Sequence, residues 1–163
     1  MNSSERAELL PAFLSEASTD LGTLRAGVAN LPAAAAAGGD DQQLTTLSIV
    51  AHRMRGSAGL YGFPQLAKMA GLLERILEAR PDLNGAQGDT YVTLVGTAVH
   101  MIGVGLDDIT HGRRETDLGL RFSRAGGAAQ LQAVLRAQPH AFVPRSTQHL
   151  SLIHISEPTR LGM

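Results

Sequence analysis

Apolar residues recur at helical spacing along four stretches of the chain, each bounded by residues that stop helices. Leu10, Phe13, Leu14, Ala17, Leu21, Leu24, Val28 and Leu31 form one continuous face, which predicts a first helix over about residues 4–31. Pro11 lies inside that pattern and removes a helix hydrogen bond, so regular helix should start near it or residues 4–10 should form a kinked lead-in. Pro32 is expected to end the element, and the alanine run 33–37 with Gly38 and Gly39 reads as a loop. A second helix is predicted over about residues 42–60, with Asp40 and Asp41 as its expected N-caps and Leu44, Leu47, Ala51, Met54 and Ala58 on its apolar side. Gly59 and Gly62 bracket its end. Pro64 then suits the first turn of a third helix, whose Leu66, Ala70, Leu73, Ile76 and Leu77 run on toward Pro81. Residues 82–89 read as a loop, and Asp89 should cap a fourth helix reaching about His111, with Gly112 as its stop. Tyr91, Val95, Ala98, Ile102, Leu106 and Ile109 are its expected inner face.

The very short link between the second and third helices forces them to lie antiparallel, as a hairpin. These elements imply an all-α fold, an antiparallel up-down-up-down four-helix bundle over residues 1–112. Beyond Gly112 the pattern weakens. Residues 128–136 could make a short helix, but the glycine, arginine and proline content of residues 113–149 reads as a basic, weakly structured linker.

Composition supports helices packed on helices. Aromatics make up only 4% of the 163 residues, so Leu, Ala, Val, Ile and Met must fill the core. The absence of cysteine excludes a disulfide framework and thiolate metal sites, which suits a cytoplasmic protein. Residues 1–112 hold 7 basic and 12 acidic groups, whereas residues 113–148 hold 6 basic and 2 acidic ones. Nothing in the acidic part resembles a nucleic-acid footprint. Residues 90–106 carry no formal charge, yet this run falls short of the roughly 20 apolar residues of a membrane span and includes His100 and three glycines, so a bundle helix is expected. The N-terminal MNSSERAELL is polar and has no signal-peptide core.

Candidate chemistry concentrates on the second helix. At about 100° per residue, Ser48, His52, Arg55, Gly56 and Gly59 share a narrow stripe away from the apolar face, so the His52 imidazole should point out of the core. Gly56 costs the helix roughly 1 kcal/mol against alanine, which makes sense if something approaches the ring closely. A hairpin centred near Phe63 sets His52 and Glu74, each 11 residues from it, side by side. Both should face one solvent-accessible groove, within direct or one-water reach. A carboxylate there accepts the proton of one ring nitrogen, fixes the tautomer and leaves the other nitrogen as an exposed nucleophile. Arg55 supplies positive charge where a transferred phosphoryl group would sit, and Gly56 leaves room for it. Arg53 reads as a surface charge able to help dock a partner, and Lys68 lies about 120° around the third helix from Glu74. His100 and His111 lack acidic or histidine partners at metal-ligand spacing and read as structural or solvent-facing. No glycine-rich phosphate loop, nucleophile elbow or paired-carboxylate site is present in the sequence.

The segment AHRMRGSAGLYGF (residues 51–63), followed by LAKMAGLLE, resembles the signature of histidine phosphotransfer (HPt) domains, and is most similar to the N-terminal phosphotransfer domain of CheA-type chemotaxis kinases. Those domains follow their phosphorylatable histidine with a hydrophobic residue, a lysine, a glycine and a small residue; Met54, Arg55, Gly56 and Ser57 stand in those places. The resemblance implies that His52 is the phosphoacceptor, on its distal ring nitrogen, that Glu74 orients the ring, and that Arg55 and Gly56 serve charge and access. Partners then dock around Ser48, Arg53, Gly59 and Tyr61. Arginine replaces the usual lysine at Arg55, and Gly71 stands where chemotaxis members often have a second histidine.

The implied partners are a histidine kinase ATP-binding domain, absent from this sequence, and a response-regulator receiver. ATP and Mg²⁺ belong to those partner domains, and no cofactor is expected here. A phosphotransfer-inactive helical docking or dimerisation module is the competing function. The tail LSLIHISEPTR (residues 150–160) resembles a translated sequencing adapter. That likeness implies that residues 150–163, with His154 and the adjacent His149, carry no functional weight and that the natural chain continues into further domains.

Overall fold

A computed structural model describes residues 1–139, which form α1 (Ser3–Ala36), α2 (Asp40–Leu60), α3 (Pro64–Glu78), α4 (Gly85–Thr110), α5 (Leu118–Arg124) and α6 (Gly127–Ala137), with no strand among the described residues. The α2–α3 junction explains the hairpin. Gly62 takes a left-handed φ of 79°, which costs a residue without Cβ nothing. Its N–H bonds the Gly59 carbonyl at 3.2 Å, and the Phe63 N–H bonds the Ala58 carbonyl at 2.8 Å, closing the orphan acceptors of α2. Phe63 is also the N-cap residue of α3, and Pro64 fills the first turn. Three residues therefore reverse the chain.

α1 packs on α2 and α4, and α3 packs on the same two helices. Neighbours run in opposite directions. Asp20 meets Arg53 while Gly27 sits against Leu47, and Leu21 and Val28 approach Gly103 and Gly96. Along α3 and α4, Leu66 lies near Gly105, and the Tyr91 hydroxyl donates to the Ile76 carbonyl at 2.7 Å. α4 is long and apolar enough to cross a membrane by length and composition, but most of its apolar window is buried inside the protein.

Several boundaries depart from the sequence expectation. α1 starts at a capping box in which Asn2 and Glu5 exchange two 2.9 Å bonds, and it passes through Pro11, whose missing donor leaves the exposed residue Ala7 to be solvated. Pro32 does not end it. Alanine is the strongest helix former, and the run carries the helix to Ala36, where Gly38 at φ 77° closes it with bonds from Gly38 N–H to Ala35 and Gly39 N–H to Ala34. Gly39, not Asp40 or Asp41, is the N-cap residue of α2; the two aspartates sit in its first turn, where negative charge suits the helix dipole. α4 begins at Gly85, ahead of the expected Asp89 cap, because Asp82 bonds the Asn84 backbone N–H at 3.0 Å and turns the chain early.

The expectation of a weakly structured extension from residue 113 is corrected at α5, residues 118–124, whereas the short helix offered over residues 128–136 is present as α6. Asp117 caps α5 through the Leu120 N–H at 2.9 Å, and Leu118, Phe122 and Val134 join the core. Glu115 accepts from the N–H groups of Leu66 (2.9 Å) and Gln65 (3.3 Å), so it closes the N-terminus of α3. Residues 140–149 of the expected linker and the tail 150–163 lie outside the described residues. Glu115→Ala should cost about 1 kcal/mol in chemical denaturation, the usual value of such a cap.

Tyr91 allows a pH test. Burial pushes its phenol well above the usual tyrosine range, partly offset by the Arg80 charge. The folded chain keeps this proton while the unfolded chain releases it near pH 10. The stabilisation is therefore complete below about pH 10 and is lost as pH rises beyond it. Tyr91→Phe should lower stability by about 1 kcal/mol at neutral pH and flatten this alkaline decline.

Candidate functional site

Ala51 and Met54 are 0% and 1% exposed, and their burial turns the intervening face of α2 outward. The His52 side chain is accordingly 64% exposed. Glu74 stands among Leu73, Ile76 and Leu77 on α3 and is buried, not facing open solvent as the sequence suggests. Its Oε1 lies 2.7 Å from His52 Nδ1. The contact is direct, with no water between. A buried carboxylate acts as acceptor, so Nδ1 carries the ring proton in the neutral state and Nε2 keeps its lone pair toward solvent.

Burying a carboxylate requires a partner for its charge. Arg55 provides one, with Nη1 3.1 Å from Glu74 Oε2. The contact is an ion pair without an aligned hydrogen bond, and Oε2 has no other partner within the described residues. Arg55 Nη2 also lies 3.4 Å from His52 Nδ1. With the Nδ1 proton directed at Glu74, that nitrogen cannot also accept, so this approach is contact rather than bonding.

A Cβ added at Gly56 or Gly59 would meet nothing within 4 Å, so both leave an open, flat surface beside the ring. Ser48 is half-buried on the same helix. Tyr61 is half-buried as well, with its ring stacked on Phe13 at 4.8 Å between centroids. Arg53 is not a free surface charge. It forks onto Asp20 of α1 with Nε–Oδ2 3.2 Å and Nη2–Oδ1 2.5 Å, and the Asp20 hydrogen bond and charge hold its guanidinium above the usual arginine range. Lys68 is exposed on α3 and His100 on α4, while His111 pairs with Asp107 at 3.2 Å. Among the described residues no group of three or more His, Asp and Glu side chains could hold a metal.

Two features escape the sequence reading. Buried Asp20 lies on the apolar stripe between Ala17 and Leu24, and an acid at a core position is the signal that marks it. Ile49 and Leu60 are 58% and 70% exposed. They flank His52 on α2, and their absence from the helix's apolar stripe is what could reveal them.

The Hpt domain family model matches residues 8–100, more than half of the chain. The chain belongs to the Hpt domain family. No curated protein and no solved structure matches it. Hpt domains perform histidine phosphotransfer in phosphorelay signalling and interact with histidine kinases and response regulators. His52 and Glu74 both fall within the Hpt match, whereas α5 and α6 lie beyond it.

Proposed function

We propose that His52 is the phosphoacceptor of this Hpt domain and that Nε2 is the reacting atom. The observation that carries this reading is the 2.7 Å contact between Nδ1 and buried Glu74 on a ring that is otherwise 64% exposed. The Nε2 lone pair attacks the γ-phosphorus of ATP held by a histidine kinase catalytic domain. An N–P bond forms as the P–O bond to ADP breaks, and Glu74 offsets the positive charge that develops on the ring through the Nδ1–H hydrogen bond. In the second transfer, an aspartate of a response-regulator receiver attacks phosphorus. The N–P bond breaks and its electron pair returns to Nε2. ATP and Mg²⁺ are bound by the partner domains, which supply the charge stabilisation that phosphoryl transfer needs.

Gly56 and Gly59 give both partners close access, with Ile49 and Leu60 as apolar contacts and Ser48, Arg53 and Tyr61 at the edge. α1–α4 constitute an antiparallel four-helix bundle to which α5 and α6 are appended. The resemblance of the segment around His52 to CheA-type chemotaxis kinases supports reading the domain as part of a cytoplasmic kinase of that type. A two-stage assay tests the relay: an active histidine kinase with labelled ATP should load the chain, and a receiver with Mg²⁺ should then remove the label. If competent kinases leave the chain unlabelled while still binding it, the phosphotransfer-inactive docking module is the correct reading.

A further inference from the structure

We propose that a cleft between α1, the C-terminal half of α4 and α5 is a binding site for a small phosphate ester, with Arg25 and Arg121 as its anion contacts. The cleft is separate from the His52 face, since among the described residues neither α4 nor α5 packs on α2. The inference therefore stands whether or not His52 carries a phosphoryl group.

The cleft holds about 500 Å³, a size usual for small-molecule sites. Its charges do not cancel. Arg25, Arg113 and Arg121 line it with two carboxylates, Asp107 and Asp108, and His100 adds a ring N–H. Arg113 is committed to those carboxylates, with Nη2 2.7 Å from Asp107 Oδ2 and Nε 3.0 Å from Asp108 Oδ1. Arg25 has no ion pair among the described residues, and Arg121 bonds only the Thr116 hydroxyl, 3.2 Å from its Nη1. Two guanidiniums thus keep donors for a ligand, and their planar fork matches the oxygens of a phosphate group. Cations that converge on one concave surface repel each other and concentrate anions there.

The cations are also held in place. A Cβ at Gly103 would lie 2.7 Å from Arg25 Nη2, so the guanidinium rests on α4 where any side chain would stand. Asp108 is 6% exposed and anchors the rim after α4. It accepts from Arg113 through Oδ1 and from the Thr116 hydroxyl through Oδ2 at 3.4 Å, and Thr116 in turn accepts from Arg121. One buried carboxylate therefore organises two of the three arginines. Leu21 and Val104 line the same cleft and give the carbon skeleton of an ester an apolar contact that a bare phosphate ion could not use.

Proton–nitrogen NMR titration of the full chain with phenyl phosphate, and separately with inorganic phosphate at the same ionic strength, tests the site. Both probes should produce saturable shifts at the Gly103 amide and at the Nε–H groups of Arg25 and Arg121. Phenyl phosphate should bind roughly tenfold tighter, because apolar contact adds to the ionic one. Arg25→Gln and Arg121→Gln should each weaken it roughly tenfold, the low end for a hydrogen bond to a charged group. Gly103→Ala keeps every charge but lifts the Arg25 guanidinium, so it should weaken binding too; alanine is the better helix former, which keeps the variant folded. Lys68→Gln removes an exposed cation on α3 outside the cleft and should leave the affinity unchanged. Shifts that fail to saturate, that are confined to His52 and its neighbours, or that survive both Arg25→Gln and Gly103→Ala would overturn the proposal. So would equal affinity for the two probes, or a loss in Lys68→Gln as large as that in Arg25→Gln, which would mark attraction by overall charge alone.

Discussion

His52→Gln should take phosphoryl uptake from a histidine kinase to background, with the fold intact. Glutamine has no ring nitrogen to form the N–P bond, and among the described residues no other imidazole stands ready to replace His52. His100 lies on α4, which packs on α1, α3, α5 and α6 rather than on α2, and His111 is tied to Asp107. The His52 side chain is mostly exposed, so removing it opens no cavity, and surface substitutions of this kind usually change stability by no more than about 0.5 kcal/mol. The check is acid-labile label per chain, measured beside a thermal melt. Uptake that persists in this variant places the phosphoryl group elsewhere.

Glu74→Ala should slow loading by about 100-fold, the lower bound for losing a group that manages a proton in the transition state. Without the carboxylate the ring rotates, its two tautomers mix, and the positive charge that accompanies N–P bond formation has no counterion. Glu74→Gln retains an oxygen that accepts from Nδ1–H but lacks the charge, and it should fall between wild type and alanine. Stability separates this effect from unfolding. Burying a carboxylate is costly and Arg55 offsets the cost with an ion pair on only one side, so the alanine chain should denature at a similar or higher midpoint. A tenfold or smaller loss in Glu74→Ala would mean that ring orientation matters little to the chemistry.

The site was more legible in the sequence than the element boundaries were. His52 and Glu74 could be paired by counting from Phe63 because the hairpin is short and tightly defined: Gly62 and Phe63 finish α2, and Phe63 also begins α3. Equal spacing from such a turn leaves little freedom in which residues meet. The burial of Glu74 was not legible, since it depends on Arg55 folding back over Gly71, a tertiary contact with no periodic signature. Pro32 misled because its local cost is real but smaller in effect than an alanine run followed by a glycine cap. Residues 118–124 misled for a different reason. Leu118 and Phe122 are a single i, i+4 pair, too short a pattern to separate from a linker, and the buried groove that receives them exists only once α3 and α4 have packed.

The central claim is that Glu74 holds Nδ1 and so leaves Nε2 of His52 as the atom that carries the phosphoryl group. Phosphorus–nitrogen and phosphorus–proton correlation NMR on the kinase-loaded, nitrogen-labelled chain reads that bond directly. A phosphoryl group on Nε2 of His52 is the result the account predicts; attachment to Nδ1, or to any other residue, would contradict it.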